Sequence, residues 1–134
     1  MSAILTAITL TALSLAGHLD QASGKRADVY GTGEVYCGNI GYPKPCSKGA
    51  VTASGAVFDP NVPSIALSLP RSFKVRPTLI WLKTKQSPCT PIWLTDKKNW
   101  KHSAGRPWDV SPAASNLLKF KGTRGYLYLC KEMK

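Results

Sequence analysis

The chain has 134 residues, of which 43% are hydrophobic, and this length suits one small domain with a modest core. The net charge of +11 favours an anionic partner: nucleic acid, an anionic membrane or the acidic polymers of a bacterial cell wall. No zinc finger, basic helix, P-loop or dinucleotide fingerprint accompanies this charge, which argues against a nucleic-acid reader and a nucleotide-binding protein. Solubility alone is the other explanation of the charge.

Residues 1–17 form an uncharged, apolar segment rich in Ala, Thr and Ser. Its length is typical of the hydrophobic part of a signal peptide and is short for a membrane span, although no positive charge precedes it. We therefore assign residues 1–24 to a signal peptide or weak signal anchor and residues 25–134 to the folded domain. This predicts a secreted, periplasmic or wall-associated protein, or one anchored through residues 1–24. An amphipathic helix of a cytosolic protein is the remaining alternative.

The four cysteines are Cys37, Cys46, Cys89 and Cys130. None of them forms a Cys-x-x-Cys pair, so their spacing does not indicate a metal site or a redox motif. In a domain of this size they predict two disulfides formed in an oxidising compartment. The sequence permits three connectivities, of which we favour Cys37–Cys46 and Cys89–Cys130. Four reduced structural cysteines are the alternative.

Ten prolines and eleven glycines divide the chain into short apolar runs, a pattern typical of strands and turns rather than of a helix bundle. About six strands are expected. They lie at Val29–Tyr30, beside the turn Thr52–Gly55, and at Thr78–Leu82, Pro91–Leu94 and Tyr126–Cys130, and Ser64–Leu69 is expected to form a further strand or a short helix. One short helix is predicted after Ser111, a good N-cap, with Pro112 at its first position and Gly122 beyond its end.

The stretch from Thr90 to Leu118 holds most of the residues that could carry chemistry. Asp96 directly follows the apolar run Pro91–Leu94, which we interpret as a buried strand that delivers a carboxylate to a strand end or loop. Residues 97–105 are polar and basic and are predicted to form a loop. Trp93 is expected in the core.

Five short motifs occur in an order found in a known family. They are ADVYG (27–31), TASGAVFDP (52–60), SIALSLP (64–70), LTDK (94–97) and GRPWDVSPAASNLL (105–118). The chain resembles the rare lipoprotein A-like double-psi β-barrel domains, which are related to expansins, barwin and barrel lytic transglycosylases. The resemblance implies an all-β fold, a six-stranded double-psi β-barrel with one or two short helices.

The chain departs from this family at two positions of the expected site. The bacterial lytic enzymes usually carry a Glu after the Thr-Ala-x-Gly turn and a His before Leu-Pro, where this chain has Ala56 and Ala66. Asp96 and Asp109 remain. A lytic transglycosylase requires only one suitably protonated carboxyl, because the sugar's own 6-hydroxyl replaces water as the attacking group.

The resemblance implies a peptidoglycan-active lytic transglycosylase without a cofactor or metal, in which Asp96 is the acid/base and Asp109 supports it. Asp96 could instead be a structural carboxylate at a strand end. Asp109 could instead brace the entry of the helix or pair with an arginine. We expect a monomer acting on an anionic wall glycan. The expected substrate contacts are Tyr30, Thr52, Lys97, Trp100, Arg106 and Trp108. A non-catalytic, expansin-like wall-binding module is the rival function, and a barwin-like defence protein a third.

Overall fold

The computed structural model describes residues 14–29, 51–99 and 105–131. In chain order the elements are α1 (Leu15–Ala22), β1 (Lys25–Val29), β2 (Ser64–Leu69), β3 (Thr78–Lys83), β4 (Thr90–Asn99), β5 (Trp108–Val110), α2 (Pro112–Leu117) and β6 (Arg124–Leu129). Within these residues six strands close into a barrel in the order β1-β5-β2-β4-β3-β6. The β1–β5 and β2–β4 pairs are parallel and the other four are antiparallel. The predicted β-rich, six-stranded barrel with short helices is confirmed.

The barrel interior is filled by aliphatic side chains from every strand. Alternate residues of β3 are buried, as expected for a strand with one face in the core and one in solvent. All six residues of β2 are buried, so this strand, which lies between β4 and β5, is covered on both faces. The largest fully buried side chains on the strands are Trp108, Ile65, Leu67, Leu69, Leu82, Ile92, Leu94 and Leu127.

The helix predicted after Ser111 is present as α2. Ser111 caps it, since its Oγ accepts a hydrogen bond from the amide of Ala114 at 3.2 Å, and Pro112 occupies the first helical position. Ala114 and Leu118 are fully buried, but Leu117 is 47% exposed, so the apolar side of the helix is narrower than predicted.

The helix α1 lies within residues 1–24, which the sequence analysis assigned to a leader. In the structure it packs against the barrel through Leu19 and Ala22, and the indole Nε1 of the buried Trp108 donates to the carbonyl of Ala22 at 2.8 Å. The hydroxyl of Ser23 accepts from the amide of Leu129 at 2.9 Å. Nowhere in the described part of the chain is there a helix of the length and apolarity that crossing a membrane requires.

A disulfide joins Cys89, just before β4, to Cys130, just after β6, with the two Cα atoms 6.0 Å apart. This confirms the favoured pairing of these two cysteines. Cys37 and Cys46 lie outside the described residues.

Candidate functional site

Asp96 and Asp109 lie on the same face of three adjacent strands. Ala66 of β2 is paired with Asp96 of β4 on one side and with Asp109 of β5 on the other. The neighbours Ile65 and Leu67 point into the core, so the row formed by Ala66 and the two aspartates lies on the outer face. The strand spacing separates the two aspartate Cα atoms by about 10 Å.

A β-bulge determines which way Asp96 points. Ile65 is paired with Leu94, whereas Ala66 is paired with Asp96, so Thr95 is an extra residue on β4. Leu94 points into the core, and in a regular strand Asp96 would do the same. The bulge shifts the alternation by one residue and places the carboxylate on the outer face. Asp96 therefore lies within β4, which continues to Asn99, rather than at the predicted strand end or loop.

The turn at Thr52–Gly55 holds the Asp96 carboxylate. The amide of Gly55 donates to the carbonyl of Thr52 at 2.9 Å, which confirms the predicted turn, and Gly55 has a φ of +89° that suits glycine. Oδ1 of Asp96 accepts two hydrogen bonds, from the amide of Ala53 at 3.0 Å and from that of Lys97 at 2.9 Å. From the residues that the structure describes, no hydrogen bond reaches the other carboxylate oxygen, Oδ2.

Burial raises the pKa of Asp96 above its ordinary value. The amides of Ala53 and Lys97 and the charge of Lys97 act in the opposite direction, since each favours the carboxylate, but the desolvation is larger. The sequence left open whether the apolar surroundings or the lysines would prevail. Of the two neighbouring lysines, only Lys97 lowers this pKa, because Lys98 contacts Asp109 instead.

Asp109 is more deeply buried than Asp96 and has a cationic partner. Nζ of Lys98 donates to Oδ1 of Asp109 at 2.9 Å and to the carbonyl of Arg106 at 2.9 Å. Burial raises the pKa of Asp109, and the Asp28 carboxylate adds to this rise. Lys98 and, more weakly, Arg106 oppose it. The sequence analysis left open a pairing of Asp109 with arginine, and in the structure its direct ion pair is with Lys98.

A third aspartate, Asp28 of β1, extends the row, and sequence reasoning did not single it out. It is paired with Asp109 across the parallel β1–β5 ladder and is 4% exposed. Its Oδ1 accepts from Nε of Arg26 at 3.1 Å, and Nη1 of Arg106 lies 3.7 Å from its Oδ2. The sequence offered one signal for Asp28, because it stands between Ala27 and Val29, which both face the core. In a strand, the residue between two core-facing residues points to the outer face.

A small cleft of about 10 Å³ lies between Asp96 and Asp109. Its other lining residues come from β2, from the bulge of β4, from the segment before β2 and from the cap of α2: Thr52, Phe58, Ser64, Ile65, Ala66, Thr95 and Ser111. Thr52 was predicted to contact substrate and lies in this cleft, with its hydroxyl donating to the carbonyl of Ala56 at 2.7 Å. The space is close to the minimum that holds one water molecule.

The other predicted substrate contacts are placed differently. Arg106 lies beside Asp28 with its side chain 48% exposed. The ammonium of Lys97 donates to the carbonyls of Arg71 and Phe73. Trp108 is fully buried in the core, so neither face of its ring is accessible to a sugar. Trp93, expected in the core, is instead 44% exposed.

Tyr30 and Trp100, the remaining predicted contacts, lie outside the described residues. Within residues 14–29, 51–99 and 105–131 no three His, Cys, Asp or Glu side chains are grouped so that they could hold a metal ion. The arrangement is therefore one half-buried, protonatable carboxyl next to a second carboxylate that is paired with lysine. Comparison with known protein families and with curated proteins finds no match to this chain.

Proposed function

We propose that this domain cleaves the glycan strands of peptidoglycan by a reaction of the lytic transglycosylase type, with Asp96 as the acid and base. The observation that carries the proposal is the asymmetry of the Asp96 carboxyl. One oxygen is held by two backbone amides, the other accepts no hydrogen bond from the described residues, Asp96 lines the cleft, and burial raises its pKa. A carboxyl that accepts two N–H bonds on one oxygen can keep its proton on the other, where a general acid needs it.

The reaction then needs no activated water. Asp96 Oδ2 gives its proton to the glycosidic oxygen, the bond from that oxygen to the anomeric carbon breaks, and the leaving strand departs with a hydroxyl group. The 6-hydroxyl of the remaining sugar attacks the anomeric carbon and forms a 1,6-anhydro ring. Its proton passes to the Asp96 carboxylate, which restores the acid. Positive charge on the sugar ring during this step would be stabilised by the Asp109 carboxylate on the far side of the cleft.

The charge of the domain suits an anionic wall polymer. The chain has a net charge of +11, and the resemblance to rare lipoprotein A-like barrels supports the same substrate class. We propose on this basis that the protein acts outside the cytoplasm, where the Cys89–Cys130 disulfide would also form.

The test incubates the full-length chain with peptidoglycan sacculi and identifies the soluble products by mass spectrometry. We expect anhydro-muropeptides from the native chain and from an Asp20→Asn control, whose carboxylate is exposed and contacts only Lys131 among the described residues. The Asp96→Asn variant should release none. Products with reducing ends would mean hydrolysis and would overturn the transglycosylase mechanism.

A second candidate function is a non-catalytic, expansin-like wall-binding module. The observation in its favour is the size of the cleft, about 10 Å³, which is far smaller than a sugar ring. Alanine at positions 56 and 66, where the resembling enzymes carry Glu and His, agrees with it. Binding to sacculi without any cleavage, unchanged by Asp96→Asn, would establish this function and exclude the enzymatic one.

A further inference from the structure

Four apolar side chains form an exposed strip on the outer face of β3 and β4. Leu79 is paired with Trp93, and Trp81 with Pro91, across the antiparallel ladder. Leu79 is 42% exposed, Trp81 36% and Trp93 44%. We call Leu79, Trp81, Pro91 and Trp93 the tryptophan strip. Such a contiguous apolar patch on a strongly charged domain is a candidate binding surface.

The barrel holds the strip in place. Ile80, Leu82 and Ile92 alternate with the strip residues and are buried in the core, so the alternation of the strands keeps both indoles on the outside. The carbonyl of Trp81 accepts a hydrogen bond from the amide of Cys130 at 3.0 Å, next to the disulfide. Because the strip lies on regular strands, a ligand would bind it without ordering a loop, which lowers the cost of binding.

The strip is continuous with the Asp96 cleft. Trp93 is paired with Ser64 of β2, and Ser64 lines the cleft. Trp93 also precedes Asp96 on β4 by three residues, which corresponds to about 10 Å along the strand. A linear ligand lying along β4 would therefore contact the indole of Trp93 and reach the carboxyl of Asp96.

The area of the strip fits a narrow ligand better than a protein partner. The exposed fractions of the two tryptophans amount to roughly 200 Å² of indole surface, taking about 250 Å² for a whole side chain. A stable protein interface buries about 800 Å² on each partner, several times more. Polar groups lie beyond the two ends of the strip, with the partly exposed Thr95 towards the cleft and the exposed Lys83 on β3. This arrangement suits sugar rings stacked on indoles, with hydroxyl and acidic substituents near Thr95 and Lys83.

We propose that the tryptophan strip is a binding subsite for an acidic glycan strand, which it directs towards the Asp96 cleft by stacking sugar rings on Trp81 and Trp93. The identity of the glycan rests on the proposed function, whereas the strip as a stacking surface does not. The same site would serve a wall-binding module equally well.

The test measures binding of full-length variants to sacculi in the Asp96→Asn background, so that cleavage does not remove the ligand. We expect about tenfold weaker binding for Trp81→Ala and for Trp93→Ala, the loss typical of an aromatic anchor. Trp81→Phe and Trp93→Phe should recover most of it. Tyr126→Ala is the matched control, because Tyr126 is 60% exposed on β6 and lies outside the strip. Thermal melts show whether each variant is folded.

A second readout uses a soluble probe, a chito-oligosaccharide, titrated into the ¹⁵N-labelled chain. The indole N–H signals of Trp81 and Trp93, assigned through the Phe variants, should shift, whereas that of the buried Trp108 should not. Unchanged binding to sacculi in the Trp81→Ala/Trp93→Ala variant would overturn the inference. A dimer in sedimentation that these substitutions abolish would also overturn it, since the strip would then bind a second copy of the chain.

The outcomes separate this inference from the proposed function. If the native chain does not cleave sacculi but binds them through the two tryptophans, the proposed function fails and the strip remains a glycan site. If Asp96→Asn abolishes cleavage while the alanine variants in the native background bind and cleave normally, the proposed function stands and the strip has no part in it.

Discussion

Asp96 and Asp109 flank Ala66 on the outer face of the barrel, one on each neighbouring strand, and their carboxylates have different partners. The ammonium of Lys98 contacts Asp109, whereas Asp96 is held by backbone amides. Two carboxyls in one cleft with different partners can take different roles. Burial raises the pKa of both carboxyls, but the charge of Lys98 favours the ionised form of Asp109, and we take Asp96, which has no such ion pair among the described residues, as the candidate acid. We therefore expect changes at these two carboxylates to have opposite effects on the stability of the domain.

Replacing Asp96 by asparagine should remove activity and stabilise the fold at neutral pH. Loss of a general acid typically costs 10²–10⁴-fold in rate. The amide oxygen of asparagine can still accept from the amides of Ala53 and Lys97, but no charge is then buried. Sacculus digestion measures the first effect and thermal unfolding the second. A variant that is inactive and also less stable than the native chain at neutral pH would show that the carboxylate has a structural role.

The contribution of Asp96 to the free energy of unfolding should depend on pH, in a direction that follows from its raised pKa. A folded-state pKa raised above the ordinary value of 3.8 means that protonation favours the folded state. This contribution is fully present below pH 3.8 and is lost as the pH rises through the raised pKa. We therefore expect the stabilisation by Asp96→Asn to be largest at neutral pH and to shrink on acidification towards pH 3.8. A difference in melting temperature that grows on acidification would contradict the assignment.

Removing one amide donor should raise the pKa of Asp96 further. Ala53 is the second residue of the turn Thr52–Gly55, a position that favours proline, and Ala53→Pro deletes the N–H that bonds Oδ1. Because this bond favours the carboxylate, its loss shifts the titration of Asp96 to higher pH. The alkaline limb of the pH–activity profile should move in the same direction.

Carboxyl ¹³C NMR of Asp96 measures the titration of the Ala53→Pro variant directly, without an activity assay. Ala53→Gly is the matched control, because it changes the side chain but keeps the N–H. A shift to lower pH, or an equal shift in both variants, would show that the Ala53 amide does not tune this carboxyl.

Lys98→Met should destabilise the domain by about 3 kcal/mol at neutral pH, the cost typical of removing one partner of a buried ion pair. Asp109 is 6% exposed and would lose its only direct cationic contact among the described residues. Since Lys98 lowers the pKa of Asp109, its removal raises that pKa, and the deficit should shrink in acid as Asp109 becomes neutral. Urea unfolding at several pH values measures this dependence.

Two further variants test whether the loss of stability in Lys98→Met comes from the unpaired charge of Asp109. Lys98→Met/Asp109→Asn should recover part of the lost stability, because no charge is left unpaired. Lys85→Met, at an exposed lysine, should change stability by less than about 0.5 kcal/mol. A deficit in Lys98→Met that is independent of pH would show that lost packing, rather than the Asp109 charge, is responsible.

Much of the fold could be predicted because the determining signals are local. The apolar runs at Ser64–Leu69 and Thr78–Leu82 became strands, and Ser111 with Pro112 began a helix. The strand β5 was missed because three residues with an aspartate in the middle show little alternation. The helix α1 lies within the segment that the sequence analysis assigned to a leader, and its contact with Trp108 could not be predicted because it depends on tertiary packing.

Two carboxylates of the candidate site could be named from the sequence, but its geometry and its third acid, Asp28, could not. Asp96 and Asp109 could be named from the sequence, yet the side to which Asp96 points depends on the bulge at Thr95, and register is not encoded in any local pattern. The exposure of the aromatic residues could not be predicted either, for the same reason. Trp93 and Trp108 both lie on strands of the barrel, but one is exposed and the other fully buried, because the alternation of their strands differs in phase.

The Cys89–Cys130 disulfide should contribute about 4 kcal/mol to the free energy of unfolding. The two cysteines are 41 residues apart, and in the chain-entropy model a loop of this length restricts the unfolded chain by that amount. Urea unfolding of the Cys89→Ala/Cys130→Ala variant, compared with the native chain without reductant, measures the difference in midpoint. Because the disulfide lies beside Trp81 rather than beside Asp96, the folded variant should retain its cleavage of sacculi while binding them more weakly. A loss of stability below about 1 kcal/mol would mean that the unfolded chain without this disulfide is already compact.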